Sequence, residues 1–245
     1  MKLLVCISNV PDTTTKVTFT NNNTQFNAAG VQFILNPSDE IALSKAIELT
    51  EGSEGTVTVI HVGEASAEPT IRKALAIGAD DGVRVDAFPQ DAHFVASQIA
   101  AYAKDKSFDL ILAGRESIDY NNALVGGMLG ELLNIPVVSG ITKLDVNGNQ
   151  VSVQREIEGG KELVNVNLPA VVTCSEGVAE AKIPNMRGIM SARSKPLNVI
   201  EAISTEKLTD IIEYTTPPQR GAVKILSADE TEKLVELLHT EAKVF

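Results

Sequence analysis

A chain of 245 residues with a formal net charge of −11 is long enough for one large α/β domain, or for a domain with an appendage. That charge is repelled by nucleic acid and anionic membrane alike, while suiting a basic protein partner, and no apolar run reaches membrane-spanning length. With 4% aromatic residues and no tryptophan, a base-stacking surface is disfavoured as well.

Met1 and Lys2 lead directly into a short apolar strand, Leu3 to Ile7, rather than into a secretory signal. Cys6 and Cys174 each fall in a predicted buried strand, so they read as core thiols in a reducing, cytoplasmic compartment. His61, His93 and His239 are isolated, which gives no case for a transition-metal site. Lys16 to Phe19 and Thr24 to Phe26 flank Asn21-Asn22-Asn23 as a surface hairpin, and Val31 to Leu35 returns the chain to the core. Asn36-Pro37-Ser38-Asp39-Glu40 has the chemistry of a helix start, with Asn36 as cap, Pro37 in the first turn and acids beside it. Leu43, Ala46 and Ile47 then supply its apolar stripe.

Thr56 to Val62 is the next strand. A helix over Thr70 to Ile77 is stopped by Gly78, and a strand follows over Gly82 to Val85. A further helix runs from Asp91 to about Ala103. Leu110 to Ala113 is an apolar run buried on both faces, closed by Gly114 and followed by a polar loop from Arg115 to Asn122. A helix begins near Ala123, with Gly126 and Gly127 in its first turn, where a missing Cβ allows a ligand to approach the backbone. Strand, loop and Gly-bearing helix start together make an anion site, because unpaired N–H groups and the positive end of the dipole point the same way. Strands alternating with helices at this spacing predict a mostly parallel, Rossmann-like α/β sheet with helices on both faces. In such folds the ligand sits beyond the carboxyl ends of the strands. Those ends hold Cys6 to Asn9, Asn36 to Asp39, Val62-Gly63 and Ala113 to Asn122, which points to a shared nucleotide pocket.

Beyond Pro136 the pattern turns antiparallel: Thr142 to Val146 and Val151 to Arg155 straddle Asn147-Gly148-Asn149, and Glu162 to Asn167 alternates after a Gly159-Gly160 turn. Ala170 to Cys174 is a last core strand. Ser175 to Pro196 is expected to be irregular, since Pro184, Gly188 and Pro196 limit helix. Residues 1–196 are therefore assigned to an α/β domain and 197–245 to a C-terminal arm. Lys224-Ile225-Leu226 is a candidate strand in that arm, and a terminal helix after Ser227 carries Leu234, Leu237 and Leu238. A short arm cannot bury such a face alone, so it needs its own core or another chain.

Six segments, in order, resemble the β subunit of electron-transfer flavoproteins. They are Asn36-Pro37-Ser38-Asp39-Glu40-Ile41-Ala42, the run from Thr70 to Asp80, Gly114 to Asp119, Arg155 to Gly160, Leu168 to Thr173, and Pro217-Pro218-Gln219-Arg220. The resemblance implies an adenine-nucleotide-hydrolase-like fold and a heterodimer with an α subunit that makes most contacts to a redox-active FAD. The β subunit would form one wall of that FAD site and bury a structural AMP. It would pass electrons from acyl-CoA-type or other flavin dehydrogenases towards a quinone-linked oxidoreductase, as a carrier without acid/base or nucleophilic catalysis of its own. Carried over position by position, Cys6, Asn36, Pro37, Ser38, Asp39, Val62, Gly114, Arg115, Ser117, Asp119, Asn122, Ala123, Leu124, Val125 and Gly126 would line the nucleotide pocket. Glu156 would face the α subunit near the flavin. Ala181 to Lys195 resembles the loop that docks on dehydrogenases, with Met186 at the anchoring position and Arg187, Arg193 and Lys195 as flanking charge. Ala123, Leu124 and Val125 depart from the polar triplet of AMP-holding members and offer no side-chain donor, so a second FAD in place of AMP is the alternative. A stand-alone adenine-nucleotide module of the stress-response type is a further alternative.

Overall fold

The computed structural model describes residues 1–245. Its centre is a nine-stranded sheet. Lys2–Cys6 (β1) is followed by three small pieces, Asn9–Pro11 (β2), Phe19–Thr20 (β3) and Gln25–Phe26 (β4), and then by Phe33–Leu35 (β5). Pro37–Thr50 (α1), Thr56–Val62 (β6), Glu68–Ile77 (α2), Asp81–Asp86 (β7), Ala92–Ala103 (α3), Leu110–Gly114 (β8) and Val125–Leu133 (α4) alternate as expected. Val137–Asn147 (β9), Gln150–Ile157 (β10), Gly160–Asn167 (β11) and Ala170–Cys174 (β12) come next. Met186–Ala192 (α5), Leu197–Glu201 (β13) and Thr231–Thr240 (α6) complete the chain.

The sheet order is β11-β10-β9-β12-β8-β1-β6-β7-β13. Strands from β9 to β13 across that order run parallel, and β10 and β11 add an antiparallel extension at one edge. Alternate residues of each central strand enter opposite cores. Leu3, Val5 and Val59 meet Leu43 and Ile71, whereas Leu4, Ile60 and Val62 meet Phe94, Ile99 and Leu129. Helices on both faces explain why these strands are apolar throughout. In the extension Val151 and Val153 are buried while their neighbours are not, the half-buried alternation of an antiparallel sheet.

The chain moves from β1 through α1 to β6 and β7. It then jumps back past β1 to β8, and onward to β9 and β12. The order therefore reverses between β1 and β8, which opens a crevice at their carboxyl ends.

Four local expectations are corrected. Of the run Val31 to Leu35, expected in the core, only Leu35 reaches it, and β5 pairs with β2 in a separate two-stranded ribbon. Ser175 to Pro196 contains α5, because Asn185 Oδ1 accepts from Gly188 N at 2.9 Å and starts a turn between the prolines. Leu197–Glu201, placed in the arm, is an edge strand paired in register with β7, and Pro196 stands just outside the ladder. Lys224-Ile225-Leu226 forms no strand, since it has no neighbour to pair with. The 21–23 hairpin is present, with strands of two residues each.

Leu112, fully buried in the central strand β8, should lose ~2–5 kcal/mol of stability on substitution by Ala. Leu163, 79% exposed on the edge strand, should lose no more than ~0.5 kcal/mol. Urea midpoints of the two variants check the contrast.

Candidate functional site

A cavity of about 350 Å³ lies over the carboxyl ends of β1, β6 and β8, at the reversal point. The first turn of α1 sets its floor. Asp39, 4% exposed, accepts Ser8 N through Oδ2 and Gly114 N through Oδ1, both at 2.8 Å. It thus joins the ends of two strands that the chain itself does not connect. Asn36 extends the stitch: Nδ2 donates to Glu116 O at 2.9 Å and Oδ1 accepts Ile118 N at 3.2 Å. Its expected capping is made by the backbone instead, the Asn36 carbonyl accepting Asp39 N and Glu40 N. The side chain is then free to hold the loop. Gly114 is required here, because a Cβ would overlap Asp39 Oδ1 and stand 2.7 Å from Ser38 Cβ.

The loop after β8 turns through left-handed backbone at Asn121 (φ 49°) and Ala123 (φ 52°). Asn tolerates that region; for Ala it costs ~1–2 kcal/mol. Strain of this kind is held in place by surrounding structure and clusters at ligand sites. The turn delivers α4 with its first three N–H groups, Val125, Gly126 and Gly127, free of any partner in the protein. An anion seated there gains ~0.3–1 kcal/mol from the dipole, and up to ~2 if partly buried. Gly126 owes its missing Cβ to the protein's own packing, since a methyl would overlap the Thr173 side chain of β12. Gly127 faces open space.

The structure brings most of the anticipated residues to this cavity. Cys6, Asp39 and Val62 line its floor, and Gly114, Arg115, Ser117, Asp119 and the run from Asn122 to Gly126 form one wall. Asn36, Pro37 and Ser38 do not line it: Asn36 is buried behind the wall, Pro37 is exposed, and half-buried Ser38 lies against Gly114. Arg115 is spent in part on an ion pair with Glu116. Burial, with a smaller push from Asp39, raises the Cys6 thiol far above its usual range, so it is an inert wall residue.

Two groups of lining residues had escaped sequence reasoning. His61 Nδ1 lies 2.9 Å from the Ile7 carbonyl, which only accepts, so Nδ1 carries the proton and neutral His61 keeps Nε2 as an acceptor. Burial and then the Arg84 charge lower its pKa and favour that neutral form. The other group is a strap from the arm. Asp91 caps α3 by accepting Phe94 N at 2.7 Å, and its second oxygen accepts Leu208 N at 2.7 Å and Thr209 N at 3.0 Å. Gln98 holds the Ile203 backbone in both directions, at 2.9 and 2.8 Å. Leu208, Thr209 and Ile211 thereby close over the cavity. The sequence places a helix start at Asp91, but its second role depends on a contact more than a hundred residues away.

The residues assigned to partner binding are elsewhere. Met186 and Met190 are 74% and 71% exposed on α5, and Ile183 just before it is 90% exposed, making it the most prominent apolar side chain of the loop. Arg187 and Arg193 are exposed. Lys195 is not free charge: its Nζ donates to Leu75 O at 3.0 Å and Ala79 O at 2.5 Å, at the end of α2. Glu156 is exposed on β10, opposite Lys161 in register, and does not line the cavity.

Burial pushes Asp39 up to about 7, against the pull of its hydrogen bonds from Ser8, Asn36 and Gly114. An unfolded aspartate titrates near ~3.9, so the native state binds this proton more tightly. The stability it contributes is fully present below that value and is lost as the pH rises towards 7. Asp39→Asn should therefore flatten the fall in stability between about pH 4 and pH 7. Urea midpoints of both proteins across that range measure the difference.

The family profile described as the electron transfer flavoprotein domain matches residues 23–205. The chain is 36% identical to the electron transfer flavoprotein subunit beta of Bacillus subtilis, over the full length of both. It is 33% identical to the subunit beta of Sus scrofa, covering 100% of this chain and 99% of the other. It is also 34% identical to the acryloyl-CoA reductase electron transfer subunit gamma of Anaerotignum propionicum, over 97% of each. End-to-end similarity of this kind, on the α/β sheet described above, shows that the chain belongs to the electron transfer flavoprotein family as one of its beta subunits.

Proposed function

We propose that this chain pairs with an α subunit, holds a structural AMP in the β1/β8 cavity and forms one wall of the FAD site of its partner. In that assembly it passes electrons from acyl-CoA-type or other soluble flavin dehydrogenases towards a quinone-linked oxidoreductase, in the cytoplasm. The observation that carries the nucleotide reading is the set of three unbonded N–H groups at the start of α4, opening on a cavity at the reversal of strand order. These donors suit a phosphate even though Ala123, Leu124 and Val125 provide none. His61 Nε2, as an acceptor, suits an amino or hydroxyl group of the nucleoside.

Two features favour a partnered subunit over a stand-alone nucleotide module. Helix α6 buries none of its residues, although Leu234 and Val235 are apolar. Ile183, Met186, Ile189 and Met190 likewise leave an apolar patch uncovered. Within the assembly the FAD supplies the redox chemistry, and this chain positions and shields it. No helix of the protein is long and apolar enough to cross a membrane.

A second FAD in place of AMP is favoured by one observation, the apolar side chains at 123–125. Against it stands the strap, which leaves about 350 Å³ beneath it. FAD contains AMP joined to a riboflavin phosphate, and would have to run out past Leu208 and Ile211.

Nucleotides released by heat from the co-expressed pair separate these readings. One FAD and one AMP per heterodimer are expected. Two FAD would establish the second reading, and FAD without AMP would remove the nucleotide from this cavity. Ile183→Ala and Met186→Ala should each raise the KM of a partner dehydrogenase for the heterodimer by roughly 10- to 150-fold, as expected for ~1.5–3 kcal/mol of lost apolar burial. Bound nucleotide should be unaffected, and an unchanged KM for both variants would discard the docking patch.

A further inference from the structure

Helix α5 is seven residues long and buries only Ala192, so neither its own propensity nor apolar packing holds it in place. Its hold comes from α2. Arg72 Nη1 donates to Ala192 O at 2.9 Å and Lys195 O at 2.8 Å, while Glu68 orients the guanidinium at 3.2 Å. Lys195 returns the grip on the carbonyls that end α2. At Gly188 the two helices touch so closely that a Cβ would overlap the Ala76 carbonyl oxygen.

A segment that needed only to fold would turn Met186 and Met190 inward. Here two cations are committed to main-chain carbonyls, and the methionines and Ile183 stay outside. From this geometry we infer that Arg72 and Lys195 are positioning residues, fixing α5 and its flanks as a preformed platform for the dehydrogenase partner. This rests on the docking reading given above. A platform ordered in advance spares the encounter the entropy of arranging the loop, so the clamp acts on affinity for the partner rather than on electron transfer itself. Arg72 suits this role because its planar fork reaches two carbonyls at once, which a lysine's single ammonium does less well.

The test uses the heterodimer carrying Arg72→Gln, with Gly188→Ala as an independent variant that lifts α5 off α2 without removing a charge. Steady-state reduction by an acyl-CoA dehydrogenase and amide hydrogen exchange over residues 185–195 are measured together. Both variants should raise KM for the heterodimer on the order of tenfold, leave kcat and the flavin spectrum unchanged, and speed exchange in that segment. Faster exchange with unchanged KM would overturn the inference, since the clamp would then be scaffolding only. A raised KM with unchanged exchange would overturn it as well, because the residues would then act by touching the partner. A wild-type heterodimer that the dehydrogenase does not reduce would instead remove the docking reading on which the inference rests.

Discussion

One buried carboxylate holds the site together. Where β1 and β8 end side by side, the N–H groups of Ser8 and Gly114 both point at the first turn of α1. An unsatisfied buried N–H costs ~1–3 kcal/mol. Asp39 accepts both at 2.8 Å, and Asn36, three residues earlier, accepts and donates across to the 116–118 loop. The first turn of α1 therefore serves as a rivet at the point of reversed strand order. The rivet carries a desolvation cost, visible in the raised pKa of Asp39.

The parallel half of the sheet was legible because its signals are redundant. Apolar runs such as Leu110 to Ala113 and stops such as Gly78 agree with one another, and Pro37 marks a helix start that no other element competes for. Failures fell where one residue type serves two purposes. Asn36 has the chemistry of a cap, yet the backbone does that job and the side chain bonds eighty residues away. Lys195 has the look of surface charge, but its ammonium ends a helix. Gly126 lies in the cavity wall as anticipated, and its missing Cβ also lets α4 settle on Thr173. Short pieces were hidden for another reason. Helix α5 has too few residues for a periodic stripe, and β13 is recognisable only from its pairing with β7.

The strap over the cavity was illegible for a deeper reason. Residues 203–214 show no regular pattern, because their order is imposed by side chains of other elements acting on their main chain. Asp91 and Gln98 grip amides and a carbonyl of the strap. Tyr214 N bonds Asn23 O at 2.7 Å, and the Tyr214 ring stacks on Phe19 at 4.9 Å. A pattern search looks for residues that order themselves, and these are ordered from outside.

The same device fixes α5, and the repetition has a physical logic. A surface segment ordered by apolar burial turns its apolar side chains inward, and nothing is then left to present. Polar side chains of neighbouring elements that bond to the main chain of such a segment contribute ~0.5–1.5 kcal/mol each, or ~1.5–3 when charged. Those magnitudes compare with burying a Leu or Met, at ~1.5–3 kcal/mol. Order can thus be obtained without committing the outward face. Arg72 does this for the segment that carries Ile183, Met186 and Met190, while Lys195 of that segment bonds the carbonyls at the end of α2 in return, and Asp91 and Gln98 do it for the stretch that leads to α6. Gripping the backbone thus orders both segments while their apolar side chains stay uncovered.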